Sequence, residues 1–181
     1  MNHYTATAKA LHWLMALLLI GLVALGVYMH ELPLSPRKLQ LYSWHKWAGV
    51  TVFLLMALRL AWRLGHRPPA LPETMPQLVR RVASATHALL YLLMFAIPLS
   101  GWLMSSAKGF QTVYFGVLPL PDLLAKDAAL GDALQQLHFG LNLLFAVLVI
   151  GHAGAALKHH FIDRDDILAR MLPRRTQEKK S

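Results

Sequence analysis

The sequence contains no cysteine among its 181 residues. This absence excludes disulfides, iron–sulfur clusters, thiolate metal sites and covalent c-type haem attachment. Charged residues are also scarce, at 15% of the chain, where a soluble domain carries about 25%. Histidine, present ten times, is therefore the main soft metal ligand that the chain offers.

The hydrophobic residues, 56% of the chain, are gathered in four blocks. Because a hydrocarbon core about 30 Å thick requires about 20 apolar helical residues, each block predicts a membrane-spanning helix. The predicted spans are residues 10–29, 44–64, 83–104 and 137–157. The first span is too long for a signal peptide and has neither a strongly basic start nor a clear cleavage site. We therefore expect an all-α fold, an integral membrane four-helix bundle that forms one domain over residues 1–181, with a basic tail at 174–181.

Lysine and arginine are unevenly distributed between the two ends of the predicted spans. Thirteen of the 18 lie on the side that holds both termini, and five lie on the other side. The positive-inside rule then predicts that both termini are cytoplasmic. We call the side of the termini the inner side and the opposite side the outer side. Since the cations lie between apolar blocks and at the C terminus, the net charge of +9 favours contact with membrane lipids over nucleic-acid binding.

Four histidines occur at matching depths in the predicted spans. His138 and His152 are fourteen residues apart, which places them on one helix face and about 21 Å apart along its axis. His45 lies at the depth of His138 on the outer side, and His12 lies at the depth of His152 on the inner side. Two neutral imidazoles from different helices suit axial ligation of a haem iron. His87, also on the inner side, is a weaker candidate because two inner ligands already exist.

Two other interpretations of these histidines remain. A single histidine in a membrane helix often forms only a hydrogen bond between helices, but the pairwise matching of depth argues against this for four residues together. A di-iron centre requires many histidines on one side, whereas these pairs lie about 20 Å apart. The spacing therefore favours an electron relay.

Small and cationic residues lie near the histidines. Glycines would let a flat porphyrin approach the backbone, although they are also typical of close helix packing. They are Gly21, Gly26, Gly49, Gly140, Gly151 and Gly154. Lys46 and Lys108 on the outer side, and Arg59, Arg63 and Lys158 on the inner side, are candidates to meet haem propionates, although topology and lipid head groups also explain such cations.

The chain resembles the bacterial cytochrome b561 family over about residues 4–173. The segments that carry the resemblance are ALHWLMALLLIGLVALG, LYSWHKWAGVTVFLLMALRLAWRL, THALLYLLMFAIPLSGWLMSSA and, most specifically, LHFGLNLLFAVLVIGHAGAALKHHFIDRDDILARMLP. The family is similar to the dihaem b subunits of formate dehydrogenases and nickel hydrogenases. The resemblance implies a four-helix bundle in the bacterial inner membrane, with two b haems and cytoplasmic termini. It assigns the periplasmic haem to His45 and His138 and the cytoplasmic haem to His12 and His152.

Within this family, the resemblance to superoxide oxidases implies a superoxide:ubiquinone oxidoreductase. Superoxide would be attracted to the periplasmic face, where Lys46 and Lys108 are the candidate cations. The outer loops nevertheless carry five Lys or Arg against four Asp or Glu, which is not a strongly attractive charge for an anion. Ubiquinone would be reduced near the inner haem, with His159 as the main candidate contact and Lys158, His160 and His87 as weaker ones.

Two further functions are compatible with the sequence. In the first, the protein relays electrons between the quinone pool and a periplasmic redox partner, which would dock on the long loop at residues 105–136. In the second, the histidines bind haem or metal for sensing or transport. The four spans contain no acidic residue, which disfavours a translocation path. The sequence also lacks a Gly-rich phosphate loop and a soluble flavin or nicotinamide domain, so hydride chemistry within the chain is not expected.

Overall fold

The structure, a computed structural model, describes residues 3–66, 68–72 and 75–172. The predicted basic tail at 174–181 lies outside the described residues. Four long helices dominate the structure: α1 (Ala6–Glu31), α2 (Pro36–Gly65), α3 (Gln77–Ala107) and α4 (Ala128–Lys158). A short hairpin, β1 (Val113–Tyr114) and β2 (Leu118–Pro119), separates α3 from α4. After α4 the chain forms a π-helical turn (His159–Asp163) and a short helix α5 (Ile167–Met171).

The four long helices are each long and apolar enough to cross a membrane. Large apolar side chains cover much of their outer surface, among them Leu17 at 69% and Ile150 at 72% exposure. Such exposure is costly in water and favourable in lipid. The chain is therefore a multi-pass membrane protein, and the prediction of an all-α four-helix fold is confirmed.

Each helix is longer than the span predicted for it, because polar residues at its ends continue the helix beyond the apolar block. Side-chain hydrogen bonds cap the N termini of three helices, α1, α2 and α4. Thr5 accepts a hydrogen bond from the Ala8 amide, Ser35 accepts one from the Lys38 amide, and Asp127 accepts one from the Leu130 amide. These residues satisfy amide groups that have no partner within the helix.

The helices associate as two closely packed pairs, α1 with α2 and α3 with α4. Among the described residues, the two pairs meet mainly through α2 and α3, and α1 makes few close approaches to α4. The buried core lies along this junction. Met15, Val52 and Met56 form one apolar cluster, and Leu90, Leu93 and Phe145 form a second. The bundle therefore has a longitudinal gap between its halves, with a packed apolar centre.

The inner end of the bundle is covered by α5. The Lys9 ammonium donates to the Leu172 carbonyl (2.8 Å), and the Trp13 indole donates to the Met171 carbonyl (3.0 Å). Within the helix, Arg170 donates to the Asp166 carboxylate (2.9 Å), and this hydrogen bond lowers the pKa of Asp166. Arg170 also donates to the Ala70 carbonyl (2.7 Å). The contacts of Lys9 and Trp13 hold the segment after α4 against the start of α1. The contact with Ala70 holds the same segment against the connection between α2 and α3.

Candidate functional site

Helices α2 and α4 place His45 and His138 opposite one another near the outer end of the bundle. Their ring centres lie 6.5 Å apart. Both side chains line a small, mainly apolar cavity of about 50 Å³ between the two helix pairs, together with Gly49 and Asn142. We call His45 and His138 the outer pair.

Helix α3 orients one ring of the outer pair. The Nδ1 atom of His138 lies 2.9 Å from the Ser100 hydroxyl and 3.1 Å from the Ile97 carbonyl. Because the Ser100 hydroxyl itself donates to the Ile97 carbonyl (2.7 Å), it can accept the Nδ1 hydrogen of His138. The Nε2 atom is then left unprotonated, as a metal ligand must be.

Two glycines, which have no side chain, provide the space that the rings of the outer pair occupy. A Cβ atom at Gly26 would lie 3.4 Å from the ring of His45, and one at Gly101 would lie 3.1 Å from the ring of His138. The Nδ1 atom of His45 is buried and has no hydrogen-bond partner within the described part of the chain. A buried imidazole with an unused nitrogen is costly unless a ligand compensates it.

Three histidines lie together at the inner end of the bundle, each on a different helix. His12 and His152 have ring centres 6.3 Å apart, and His87 lies 5.2 Å from His152. Among the residues that the structure describes, none of the three rings forms a side-chain hydrogen bond. We call His12 and His152 the inner pair; the sequence predicted both pairings, and the structure brings each pair together.

The distance between ring centres distinguishes histidines that can bind one metal ion together from histidines that only touch. Two imidazoles that bind one metal ion from opposite sides, each through a metal–nitrogen bond of about 2 Å, have ring centres about 6 Å apart. The outer pair at 6.5 Å and the inner pair at 6.3 Å match this distance, whereas His87 and His152 at 5.2 Å are too close. Both pairs also bridge the gap between the helix halves. The residues therefore fit two b-type haems, one for each pair.

The two pairs are separated by packed apolar side chains. Phe145, midway in sequence between His138 and His152, is 5% exposed, and Val52 is 1% exposed. Neither side chain can carry a proton. Apolar packing at the centre of the bundle therefore separates the two histidine pairs.

The predicted outer cations have different surroundings. The Lys108 ammonium forms an ion pair with Asp132 at 2.9 Å and also contacts the Gln135 side chain. The Lys46 ammonium donates to the Phe110 carbonyl (2.9 Å) and forms no ion pair among the described residues. The two amines thus do not share a partner, and the charge of Lys108 is compensated. A role for either lysine in attracting superoxide stays a prediction.

The predicted inner cations lie on two sides of the bundle. Arg59 donates to the Tyr91 hydroxyl (3.2 Å), and the Arg63 guanidinium lies 5.3 Å from the centre of the Tyr91 ring. These side chains line a second small cavity, of about 50 Å³, near the start of α1. Lys158, at the end of α4, is instead paired with Asp163 at 2.6 Å. Arg59 and Arg63 are therefore the inner cations available to an anionic group.

The residues predicted near quinone lie at the inner end of α4. His159 is mostly buried, with a side chain 17% exposed, and its Nδ1 atom lies 2.7 Å from a carboxylate oxygen of Asp165. His160 is exposed and lies edge-on to Phe161. His87 is instead grouped with the inner pair. Of these residues, His159 alone combines burial with a charged partner.

Sequence reasoning missed three residues that the structure places in contact with functional histidines. They are Ser100, Gly101 and Asp165. A serine and a glycine two and three residues after Pro98, inside an apolar span, were a signal for the first two. Asp165 was hidden in the charged stretch HHFIDRDD, because its contact with His159 depends on the turn between them.

Comparisons with known proteins show one family over nearly the whole chain. The sequence profile described as prokaryotic cytochrome b561 matches residues 3–174. The chain is 38% identical to cytochrome b561 homolog 2 of Escherichia coli K12, over 94% of this chain and 92% of the relative. It is 30% identical to cytochrome b561 homolog 1 of the same organism, over 97% and 99%. It is also 30% identical to the probable superoxide oxidase CybB of Yersinia pestis, over 95% and 97%.

Proposed function

Because the chain belongs to the prokaryotic cytochrome b561 family, whose function is transmembrane electron transfer with b-type haem, we propose that it is a superoxide:ubiquinone oxidoreductase. In this function, two superoxide anions are oxidised to two molecules of oxygen on the periplasmic side of the bacterial inner membrane. One ubiquinone takes up the two electrons and two protons and becomes ubiquinol. The observation that carries the proposal is the pair of imidazole sites, at 6.5 Å and 6.3 Å ring spacing, near opposite ends of one apolar bundle.

A b haem held by two imidazoles would accept and donate single electrons. The outer pair, His45 and His138, would hold one haem, and Ser100 would keep His138 in the tautomer that binds metal. The inner pair, His12 and His152, would hold the second haem. The separation of the pairs along α4, about 21 Å, brings each within reach of one membrane surface.

Superoxide is a small anion, so cationic side chains near the outer site would attract it. Lys46 follows His45 directly in the chain and forms no ion pair within the described residues. It is therefore the better supported of the two predicted lysines. Lys108, already paired with Asp132, would contribute less.

The quinone site would lie at the inner end of α4. His159 follows His152 by about two helical turns on nearly the same face. Its contact with the Asp165 carboxylate supports a role in proton transfer, because quinone reduction consumes two protons at the quinone oxygens. Arg59 and Arg63, which contact Tyr91, would be the cations that meet anionic groups of the inner haem.

The proposal is tested in two half-reactions with purified protein. A pyridine haemochrome assay is expected to find two b haems per chain. A pulse of superoxide is expected to reduce them, and added ubiquinone to reoxidise them. Haems that stay oxidised after the pulse, while dithionite reduces them, would contradict superoxide as the donor.

The second candidate is an electron relay to a periplasmic redox protein. It is favoured by the hairpin between α3 and α4, whose turn exposes the apolar residues Phe115 and Val117 at 60% and 83%. The two functions differ in what the isolated protein can do. Electron flow from superoxide to quinone in the purified chain supports the oxidase, whereas flow that requires an added periplasmic partner supports the relay.

A further inference from the structure

The chain leaves α4 through an unusual turn. Residues His159–Asp163 form one turn of π-helix, and Arg164 then adopts the left-handed conformation, with φ of 55°. Single π turns are rare and occur frequently at functional sites. A positive φ at a residue other than glycine is also uncommon. The backbone is thus bent back on itself immediately after His159.

The bend brings Asp165 onto the imidazole of His159. One oxygen of the Asp165 carboxylate lies 2.7 Å from Nδ1 of His159. The other oxygen accepts a hydrogen bond from the Ile167 amide (3.0 Å), and the Asp165 amide donates to the His159 carbonyl (3.1 Å). Two hydrogen bonds to the carboxylate and one from the backbone amide therefore fix the position of Asp165.

This contact determines which nitrogen of His159 is available. Because Nδ1 donates its hydrogen to Asp165, Nε2 is the atom left for a ligand. Among the described residues, no hydrogen bond involves that atom. Asp163 also lies 3.2 Å from Nδ1, but its charge is compensated by the Lys158 ammonium at 2.6 Å.

We propose that Asp165 is a positioning residue that holds His159 as the proton donor to quinone. This inference rests on the proposed function, in which quinone is reduced at the inner end of α4. The Nε2–H of the protonated ring gives its proton to a quinone oxygen as an electron arrives. The neutral ring keeps its Nδ1–H bond to Asp165 and takes the next proton from water on the inner side. Two such transfers supply the two protons that accompany two electrons.

The test compares four variants of the full, haem-loaded protein. Asp165→Asn removes the charge and keeps an acceptor for the Ile167 amide, Asp165→Glu keeps the charge, and His159→Gln removes the ring. Asp166→Asn is the matched control, because the neighbouring carboxylate pairs with Arg170 and not with His159. Each variant is reduced with a stoichiometric amount of dithionite and mixed with a short-chain ubiquinone in a stopped-flow spectrometer.

Loss of a partner that orients a functional histidine lowers activity about tenfold to a hundredfold. Reoxidation by quinone is therefore expected to slow at least about tenfold in Asp165→Asn and His159→Gln, and to recover in Asp165→Glu. Asp166→Asn is expected to match the parent. In ¹⁵N-histidine NMR spectra, His159 is expected as the Nδ1–H tautomer in the parent and to shift towards the Nε2–H tautomer in Asp165→Asn.

The possible outcomes separate this inference from the function on which it rests. A parent-like rate in His159→Gln would remove His159 from the quinone site, even if superoxide still reduces the haems. Slow reoxidation in His159→Gln with a parent-like rate in Asp165→Asn would overturn the role of Asp165 alone. A slow Asp165→Asn with an unchanged tautomer and no recovery in Asp165→Glu would assign the carboxylate a purely structural role. If Asp165→Asn does not assemble, Asp165→Ser, which also keeps a cap for Ile167, takes its place under the same criteria.

Discussion

The outer and inner histidine groups occupy opposite ends of the same bundle, yet the protein surrounds them differently. In the outer pair, His138 contacts the Ser100 hydroxyl and the Ile97 carbonyl. In the inner group, three imidazoles lie together without a side-chain hydrogen bond among the described residues, and cationic side chains lie nearby. Hydrogen bonds from α3 therefore orient a ring of the outer pair, whereas in the inner group ring spacing alone favours His12 and His152 as the pair.

The difference matches the chemistry proposed for each end. An outer site that only passes electrons benefits from rigid ligands, because small reorganisation favours electron transfer. The proposed quinone site at the inner end must also be reached by protons. The apolar centre around Phe145 keeps these two environments apart.

The largest effect is expected from removing one member of the inner group. His12→Ala should lower the haem content from two to about one per chain, because the remaining rings, 5.2 Å apart, are too close to bind one iron from opposite sides. His87→Ala should retain both haems. Pyridine haemochrome assays on both variants measure this, and the reverse pattern would identify His87 as the ligand.

A smaller effect is expected from filling the space beside the outer rings. Gly101→Ala places a Cβ atom 3.1 Å from His138, whereas Gly26→Ala places one 3.4 Å from His45. Overpacking of this kind costs about 1–3 kcal/mol, so Gly101→Ala should lose outer haem on mild heating before Gly26→Ala does. Gly21→Ala, with no atom within 4 Å of the new methyl group, is the control. Equal haem retention in all three variants would show that the ring of His138 moves freely.

The smallest effect is expected from the hydrogen bond to His138. Ser100→Ala removes one of two acceptors near Nδ1, and the Ile97 carbonyl remains. Loss of the acceptor makes the imidazole a weaker electron donor to iron, so the outer haem potential should rise while the inner potential stays unchanged. A redox titration that resolves the two haems measures the shift. A shift of the inner haem alone would exchange the assignment of the two sites.

Much of the architecture follows from local properties of the sequence. Four apolar blocks of sufficient length predict four spans, because backbone polar groups in lipid must be satisfied within helices. The depths of His12, His45, His138 and His152 follow from the constant rise of an α-helix. Pairing by depth was therefore predictable, and the structure brings both pairs together.

The remaining features depend on how helices meet and how the chain turns. The contact between Ser100 and His138 joins two helices and has no periodic signal, since it depends on the rotation of α3 against α4. Lys108 resembled a free cation until the fold placed Asp132 beside it. Asp165 reaches His159 only through the π-helical turn and the left-handed Arg164. Span number, span order and the depths of the histidines were thus determined by the sequence alone, because hydrophobic length and helical rise act locally. The orientation of the histidine rings and the pairing of charges were decided by tertiary contacts, which join residues distant in the chain or across an irregular turn.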